Sequence, residues 1–260
     1  MHSCCAIKRG DCTYFAQSGH FKITITIRVD KSPIFLPVIM RIFKYLIILI
    51  IIIISGAILY GGKGYWDALS DAGRLNLLAD QLITKGLGGD QLGEKHLAIL
   101  LAVEDPAFEK HSGVDFSTPG AGATTVTQSL AKRLAFEKFQ PGIGKIRQTG
   151  YAYGLESRLS KQQILALWLD TLEMGKGPKG WMVGFYTASS EIYGRPPAQL
   201  SDLEFIRLVA VLIAPSSYDL TRDDKGLNER VGRIERLVSG NCAPTGFSDV
   251  WLEGCKQIAP

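Results

Sequence analysis

Two adjacent carboxylates, Glu104 and Asp105, have the clearest potential for chemistry, and they lie in the stretch AVEDPAFEKHSG. They end an apolar segment with helical spacing. Burial at such a position raises the pKa of a carboxyl group and can make it a general acid or base near neutral pH. Taken alone, however, a Glu-Asp pair is more typical of a solvated helix end, and His111 alone would suit a surface or capping position.

A second cluster, GATTVTQSLAKRL, combines hydroxyl groups with a lysine. Gly122 predicts a turn that brings Thr124 and Thr125 to the start of a helix. Gln128 and Lys132 follow, four residues apart on one helix face. A helix N-terminus with hydroxyl groups and a lysine can hold an anion such as phosphate. The cluster therefore predicts a phosphate-binding surface.

Five blocks between residues 94 and 215 resemble, in order, those of the family 51 peptidoglycan glycosyltransferases. The first family block, Glu-Asp-x-x-Phe-x-x-His-x-Gly, is complete from Glu104 to Gly113. The residues that represent the other four blocks are Gly122, Thr124, Thr125, Gln128 and Lys132; Lys145; Ser160, Lys161, Ile164, Leu165, Trp168, Leu169 and Asp170; and Gly184, Ala188, Ile192, Tyr193, Gly194 and Arg195. One block alone is a weak signal, so the resemblance depends on all five occurring in order.

The resemblance implies a lysozyme-like helical domain that polymerises lipid II, the undecaprenyl-pyrophosphate-linked disaccharide-pentapeptide, into glycan strands. It gives Glu104 the role of the base that takes the proton from the 4-hydroxyl of the acceptor sugar. Lys132 and Lys145 would hold the donor pyrophosphate, because a leaving anion needs fixed positive charge nearby. The other substrate-binding candidates, expected to shape the site rather than react, are Asp105, Phe108, His111, Thr124, Thr125 and Gln128.

The third block departs from the family pattern. Gly144 stands where the family has arginine, and Gln148 stands where it has glutamate. Ser129 likewise replaces a glutamine of the second block. The residues identify no metal site, and a divalent cation, Mg or Mn, is implied only by the resemblance, which the neutral Gln148 weakens. Glu156, two turns further on, is a candidate to replace the missing carboxylate.

Two other functions fit the same residues. A non-catalytic lipid-II-binding or scaffold module would explain the altered third block. A glycan-cleaving lysozyme-like enzyme could use Glu104 as general acid, although Thr125 and Lys132 favour phosphate chemistry. The sequence from Ser129 to Lys132 also matches the Ser-x-x-Lys signature of penicillin-binding serine acyltransferases, but the companion Lys-Thr-Gly is absent, so we interpret that match as accidental.

Helical periodicity predicts the segments that position these residues: 66–87, 94–111, 124–138, 145–159, 161–174, 184–192 and 202–213. Ser160 with Gln163, and Ser201 with Glu204, have the spacing of capping boxes. The exported part contains no convincing set of alternating strands. We therefore predict a mainly α fold, a lysozyme-like helical glycosyltransferase domain behind a single N-terminal transmembrane helix.

The run YLIILIIIIISGAILY at 45–60 carries no charge and approaches the length needed to cross a bilayer. Lysines and arginines precede it, which predicts a single-pass protein of the cytoplasmic (inner) membrane with an extracytoplasmic, periplasmic catalytic domain. The expected partners are this membrane, lipid II with the nascent glycan strand, and penicillin-binding transpeptidases. The net charge of +4 is too modest to indicate nucleic acid.

The predicted organisation has five parts: a leader or cytoplasmic tail over 1–39, a transmembrane anchor over 40–62, a stalk over 63–93, the glycosyltransferase domain over 94–240 and a C-terminal tail over 241–260. MRIFKYLII is typical of the basic opening of an anchor, so we hypothesise that translation starts at Met40. Cys242 and Cys255 lie in the tail, where an oxidising compartment permits a disulfide that the sequence does not require.

Overall fold

The computed structural model describes residues 5–8, 11–18, 21–28 and 35–256, which form two compact units, 1–56 and 57–260. The first unit contains a three-stranded antiparallel sheet in the order β1-β2-β3. Its strands are β1 (Cys5–Lys8), β2 (Asp11–Ser18) and β3 (Phe21–Arg28). They lie in the segment 1–39, for which the sequence predicted only a leader or cytoplasmic tail.

The first helix, α1, covers Phe35–Thr84. Its large apolar side chains between Val38 and Leu59 are almost all exposed, and an 18-residue window of the helix has a mean hydropathy of 2.8 with no residue buried. A helix this long and this apolar is long enough to cross a bilayer. The structure thus agrees with a transmembrane helix over 40–62, while its orientation stays a prediction.

The later part of α1 packs into the second unit. Side chains at three- and four-residue spacing along one face are buried there: Ala68, Ala72, Leu75, Ala79 and Leu82. This spacing is that of a helix with one face against a core. The segment 63–93, predicted as a stalk, thus contributes a wall of the helical domain.

Up to residue 256, the second unit also contains seven further α-helices, three short 3-10 helices and one β-hairpin. The helices are α2 (Glu94–Glu104), α3 (Val126–Ala135), α4 (Gly144–Glu156), α5 (Lys161–Thr171), α6 (Phe185–Tyr193), α7 (Asp202–Val211) and α8 (Lys225–Val238). The hairpin strands are β4 (Glu173–Gly177) and β5 (Gly180–Val183). The prediction of a mainly α fold is confirmed.

Local capping chemistry sets several of these boundaries. The capping boxes of Ser160 with Gln163 and Ser201 with Glu204 are both present, at the starts of α5 and α7. Helix α2 ends at Glu104, earlier than the predicted residue 111, because Asp105 precedes a proline and takes the non-helical angles φ −163° and ψ 79°.

The β4-β5 hairpin and helix α8 were not among the predicted elements. Glycines at 175, 177 and 180 remove the apolar alternation from which strands are predicted, so periodicity gave no strand signal there. The predicted helix over 161–174 accordingly stops at Thr171, before β4 begins. Helix α8 has an apolar face formed by Leu227, Val231 and Ile234, which is a regular helical signal that was overlooked.

The C-terminal tail supports the turn that leads into α3. Cys242 and Cys255 form a disulfide with their Cα atoms 5.2 Å apart, within the usual range. The backbone N–H of Gly122 donates to the carbonyl of Phe247 in this tail at 2.9 Å. The disulfide closes a loop within the tail, and the hydrogen bond joins that loop to the chain just before Thr124.

Helices α1 and α4 approach each other closely at glycines. A Cβ atom on Gly150 would lie 1.9 Å from the carbonyl oxygen of Gly61, and one on Gly64 would lie 2.2 Å from that of Arg147. Real side chains do not tolerate such distances, so only glycine fits unless the backbones separate. Helix α4 also carries Lys145 and Gln148, so this contact positions part of the site.

Polar contacts reinforce the same helix pair. Arg147 Nη2 lies 2.7 Å from Asp67 Oδ2, and the Tyr151 hydroxyl donates to Asp71 Oδ2 at 2.6 Å. Burial, together with the hydrogen bond to Asp71, raises the pKa of Tyr151. The tyrosine therefore keeps its proton at physiological pH, and its contact with α1 is insensitive to pH in that range.

We expect Gly150→Ala to destabilise the protein by about 1–3 kcal/mol, because the added methyl group must push α4 away from α1. The matched control is Gly73→Ala, at an exposed site on α1 where a Cβ meets no atom within 4 Å. That change should stabilise the helix by about 0.5–1 kcal/mol. Thermal unfolding of the full chain in detergent checks both, and equal melting temperatures for the two variants would contradict the close contact.

Candidate active site

Glu104 is the last residue of α2, and its side chain is partly buried. Burial is the largest influence on this carboxyl group and raises its pKa to about 7. The charge of Asp105 acts in the same direction, whereas the guanidinium groups of Arg230 and Arg133 lower the pKa. A carboxyl group that exchanges its proton near neutral pH suits general acid-base catalysis.

Asp105 is fully buried and links α2 to α3. Its two oxygens accept hydrogen bonds from His111 Nε2 at 3.0 and 2.9 Å, and Oδ2 also accepts from the backbone N–H of Val126 at 2.9 Å. His111 Nδ1 accepts from the N–H of Gly113 at 3.1 Å, which leaves the proton on Nε2. Asp105 and His111 thus hold the loop after α2 against the N-terminus of α3.

Phe108 is buried in this loop, and Lys161 Nζ lies 4.5 Å from the centre of its ring. Lys161 also donates to the carbonyl of His111 at 2.7 Å and to Glu156 Oε1 at 2.9 Å. Glu156 accepts a further hydrogen bond from Thr127 Oγ1 at 2.5 Å. The Glu156 carboxylate is therefore committed to these structural contacts, which does not favour it as the replacement for the missing third-block carboxylate.

Thr125 and Gln128 are buried and form a capping box at the start of α3. Thr125 Oγ1 accepts from the Gln128 N–H at 3.1 Å and donates to the carbonyl of Gly113 at 2.7 Å. Gln128 Oε1 accepts from the Thr125 N–H at 3.2 Å, and its Nε2 donates to Thr149 Oγ1 at 3.1 Å. Since these groups are used within the fold, both residues suit positioning of α3 better than contact with a ligand.

A cleft of about 810 Å³ lies between α3, α4 and the β4-β5 hairpin. Its lining includes Thr124, Lys132, Arg133 and Lys145. Lys145 Nζ donates to Thr124 Oγ1 at 2.5 Å, and burial together with the charge of Lys132 lowers the pKa of Lys145. The volume suits a ligand of moderate size, and the clustered cations favour an anion.

The first-block residues and the cleft cations form two neighbouring groups. Glu104, Asp105, Phe108 and His111 do not belong to the cleft lining, whereas Arg133 lines the cleft and its charge acts on Glu104. Arg133 is in turn held by Ser129, whose Oγ accepts from Nη1 at 2.9 Å. Through α3, the structure therefore brings a titratable carboxyl group next to a cationic cleft.

Arg230 is a site residue that sequence reasoning missed. It lies on α8, is buried, and its Nε and Nη1 have no hydrogen-bond partner among the described residues. An arginine between Leu227 and Ile234, on the apolar face of an amphipathic helix, could have served as a signal. Its position near Glu104 depends on how α8 packs, which local sequence does not determine.

Three carboxylates that line the cleft were not among the predicted site residues, one of them the exposed Glu137. Glu173, on β4, lines the cleft and accepts a hydrogen bond from the indole N–H of Trp181 on β5. Asp170, near the end of α5, lines it too, and burial raises the pKa of its carboxyl group. Asp170 belonged to the fourth block, but the hairpin that brings Glu173 to the cleft was not predicted.

The family comparison agrees with this geometry. The profile of the transglycosylase family matches residues 84–238, which is more than half of the chain. The chain belongs to the transglycosylase family. The matched region includes α2 to α8, and thus both the Glu104 group and the cationic cleft.

Individual relatives support the same assignment. Biosynthetic peptidoglycan transglycosylases of Marinomonas sp. (strain MWYL1) and Herminiimonas arsenicoxydans are 32% and 31% identical to the chain over 151 and 152 residues, which is 54% of this chain in each case. The chain spans 65% and 64% of these two relatives. A protein of the same name from Ralstonia nicotianae is 30% identical over 174 residues, 60% of this chain and 73% of the relative.

The residues at the third-block position do not fit a divalent cation. Gln148 is neutral, and it lines the cleft together with Lys132 and Lys145. Within residues 35–256 and the described strands before them, no group of three or more His, Cys, Asp or Glu side chains could hold a metal ion. Hard cations prefer carboxylate oxygens, so the lysines and the amide form an unfavourable ligand set.

The raised pKa of Glu104 predicts a stability that depends on pH. The folded-state pKa of about 7 exceeds the reference value of 4.5, so the folded protein binds more protons between these values and loses stability as pH rises through them. Glu104→Gln removes this effect. The variant should exceed the wild type in unfolding free energy at pH 8 by on the order of 1–3 kcal/mol.

Denaturant unfolding of both proteins at pH 4 and pH 8 checks this expectation, because the difference should disappear at the lower pH. Glu109→Gln provides the matched control, since Glu109 is exposed and follows shortly after α2. A Glu104→Gln effect that is the same at both pH values would show that Glu104 ionises with an ordinary pKa.

Proposed function

We propose that this chain is a peptidoglycan glycosyltransferase that extends glycan strands from lipid II. The observation that carries the proposal is the position of the Glu104 carboxyl group, with its pKa near 7, beside a cleft lined by Lys132 and Lys145. Membership of the transglycosylase family, and the name shared by the relatives, support the same reaction.

In the proposed reaction, the ionised Glu104 takes the proton from the 4-hydroxyl group of the acceptor sugar. The acceptor oxygen then forms a bond to C1 of the donor sugar, while the bond between C1 and the pyrophosphate oxygen breaks. The electron pair of that bond leaves with the pyrophosphate. Removing the proton during attack avoids a positively charged acceptor oxygen, which is the contribution expected of a general base.

The cleft cations would stabilise the leaving group. Lys145 is held by Thr124 at 2.5 Å, and Lys132 lies 5.4 Å from the centre of the Phe139 ring, so both ammonium groups are oriented before a ligand arrives. Preoriented charges stabilise developing negative charge without reorganisation during the reaction. Arg133 would act on both the leaving group and the base, because it lines the cleft and its charge lowers the pKa of Glu104.

Asp105, His111, Thr125 and Gln128 would act indirectly in this scheme. Their hydrogen bonds join the loop after α2 to the start of α3, and so set the separation between the base and the cleft. The exposed apolar part of α1 would anchor the protein in the cytoplasmic membrane, where a substrate with a polyprenyl chain resides. Transpeptidases that crosslink the product are proposed partners.

We expect Glu104→Gln to abolish polymerisation of labelled lipid II by the full chain in detergent while leaving lipid II binding nearly intact. The amide keeps the shape of the side chain but cannot accept the proton. For the wild type, kcat/KM should rise with pH, reach half of its maximum near pH 7 and level off above that value, because the base must be ionised. Glu109→Gln, at an exposed site, should keep the wild-type profile.

Each outcome of this experiment separates the candidate functions. Glycan strands made equally well by Glu104→Gln would remove Glu104 from the mechanism. Lipid II binding without any polymerisation by the wild type would instead favour the scaffold module. Cleavage of finished glycan strands, lost in Glu104→Gln, would favour the lysozyme-like alternative.

Lys132→Gln and Lys145→Gln should each weaken binding of a phosphoglycolipid inhibitor that mimics the donor by about 10–100-fold, the effect of losing one charge-assisted hydrogen bond. Lys138→Gln is the control, because Lys138 is exposed and does not line the cleft. Fluorescence polarisation with a labelled inhibitor measures the three affinities. An equal affinity for all three variants would show that Lys132 and Lys145 do not hold the inhibitor.

A further inference from the structure

The cleft wall at Gln148 is neutral and fixed in orientation. The side chain is 1% exposed, and its Nε2 donates to the backbone carbonyl of Gln128 at 2.6 Å. Rotation of the amide by 180° would place two oxygens together, so this hydrogen bond determines which atom is Oε1. Oε1 itself has no hydrogen-bond partner among the described residues. The position therefore supplies a single uncharged acceptor and no negative charge.

Two ammonium groups line the cleft together with this amide. Lys145 donates to Thr124, and the positive charge of Lys132 contributes to the lowered pKa of Lys145, which places the two charges within electrostatic range of each other. A divalent cation bound at this wall would be repelled by both lysines and attracted by no carboxylate at position 148. An anion would experience the opposite forces.

Three carboxylates line the cleft elsewhere: the exposed Glu137, Asp170 and Glu173. Glu173 accepts from the Trp181 indole N–H, and its charge acts on Arg133. Burial raises the pKa of the Asp170 carboxyl group. A metal ion bound between Glu173 and Asp170 is the competing arrangement, since Mg²⁺ can use two carboxylates with the oxygens of a phosphate ligand.

We propose that the cleft binds a diphosphate without a divalent cation, using the fixed charges of Lys132 and Lys145 and the hydroxyl of Thr124. The two ammonium groups take the place of the metal ion that commonly neutralises a diphosphate in proteins. This inference rests on the proposed function, because it concerns the donor pyrophosphate of the same reaction. It differs from the expectation of Mg or Mn that the family resemblance carries.

Calorimetric titration of farnesyl diphosphate into the full chain in detergent tests the proposal. The Kd should agree to within about twofold in excess EDTA and in MgCl₂ or MnCl₂. Lys145→Gln should weaken binding by about tenfold or more in both conditions, whereas the exposed Lys138→Gln should not. Binding that requires the metal, and is therefore lost in EDTA, would overturn the proposal.

Mn²⁺ alone provides an independent measurement. Addition of the protein should leave the electron paramagnetic resonance signal of free Mn²⁺ unchanged, with or without farnesyl diphosphate. Loss of that signal, restored by Glu173→Gln or Asp170→Asn, would place a metal between the carboxylates and overturn the proposal. Both substitutions keep the side-chain volume and remove only the charge.

Polymerisation of lipid II in EDTA separates this inference from the function on which it rests. Strand synthesis in EDTA supports both. Synthesis only with added metal overturns the inference and leaves the glycosyltransferase function intact. Metal-independent binding of farnesyl diphosphate without synthesis supports the inference and contradicts the function.

Discussion

The buried carboxylate of Asp105 fixes the geometry on which the site depends. It holds the His111 ring and the first N–H of α3, so the end of α2, the loop that follows and the start of α3 share one hydrogen-bonded centre. A carboxylate with no exposed surface is tolerated only while such donors satisfy it. Glu104, the preceding residue, therefore has its backbone position set by the same contacts, although its own side chain remains available for chemistry.

This arrangement gives two adjacent carboxylates opposite environments. Asp105 accepts hydrogen bonds from His111 and from the N–H of Val126, whereas Glu104 is without such donors among the described residues and burial raises its pKa to about 7. Arg230 and Arg133 oppose that burial and keep the pKa of Glu104 from rising further. The packing of α8 against α2, together with Arg133 on α3, thus adjusts the pKa of the Glu104 carboxyl group, while the sequence of the first block determines its place.

The sequence was informative where local chemistry determines the structure. Capping boxes set the starts of α5 and α7, and Pro106 explains the end of α2 once the effect of proline on Asp105 is considered. Periodicity also identified the helices that carry Glu104, Lys132 and Lys145. All of these signals involve residues close together in the chain.

What the sequence did not predict depends on contacts between distant segments. Arg230 reaches Glu104 only because α8 packs beside α2, and Glu173 reaches the cleft only through a glycine-rich hairpin with little periodicity. The contacts of Glu156 also come from distant segments, since Thr127 and Lys161 donate to it from other helices, and these contacts do not favour it as a replacement carboxylate. Residue type indicated which groups could react, and tertiary packing decided which of them are free to do so.

The altered third-block position Gly144 lies beside the aromatic ring that Lys132 also contacts. A Cβ atom at Gly144 would lie 3.3 Å from the Phe139 ring, so this aromatic side chain occupies space that a longer residue at 144 would need. Lys132 lies over that same ring, 5.4 Å from its centre. A cation held against an aromatic face loses less conformational freedom when it binds an anion. Phe139 thus contacts Gly144 and orients Lys132, the lysine of the second block, so the cleft keeps this positive charge where the third block lacks its arginine.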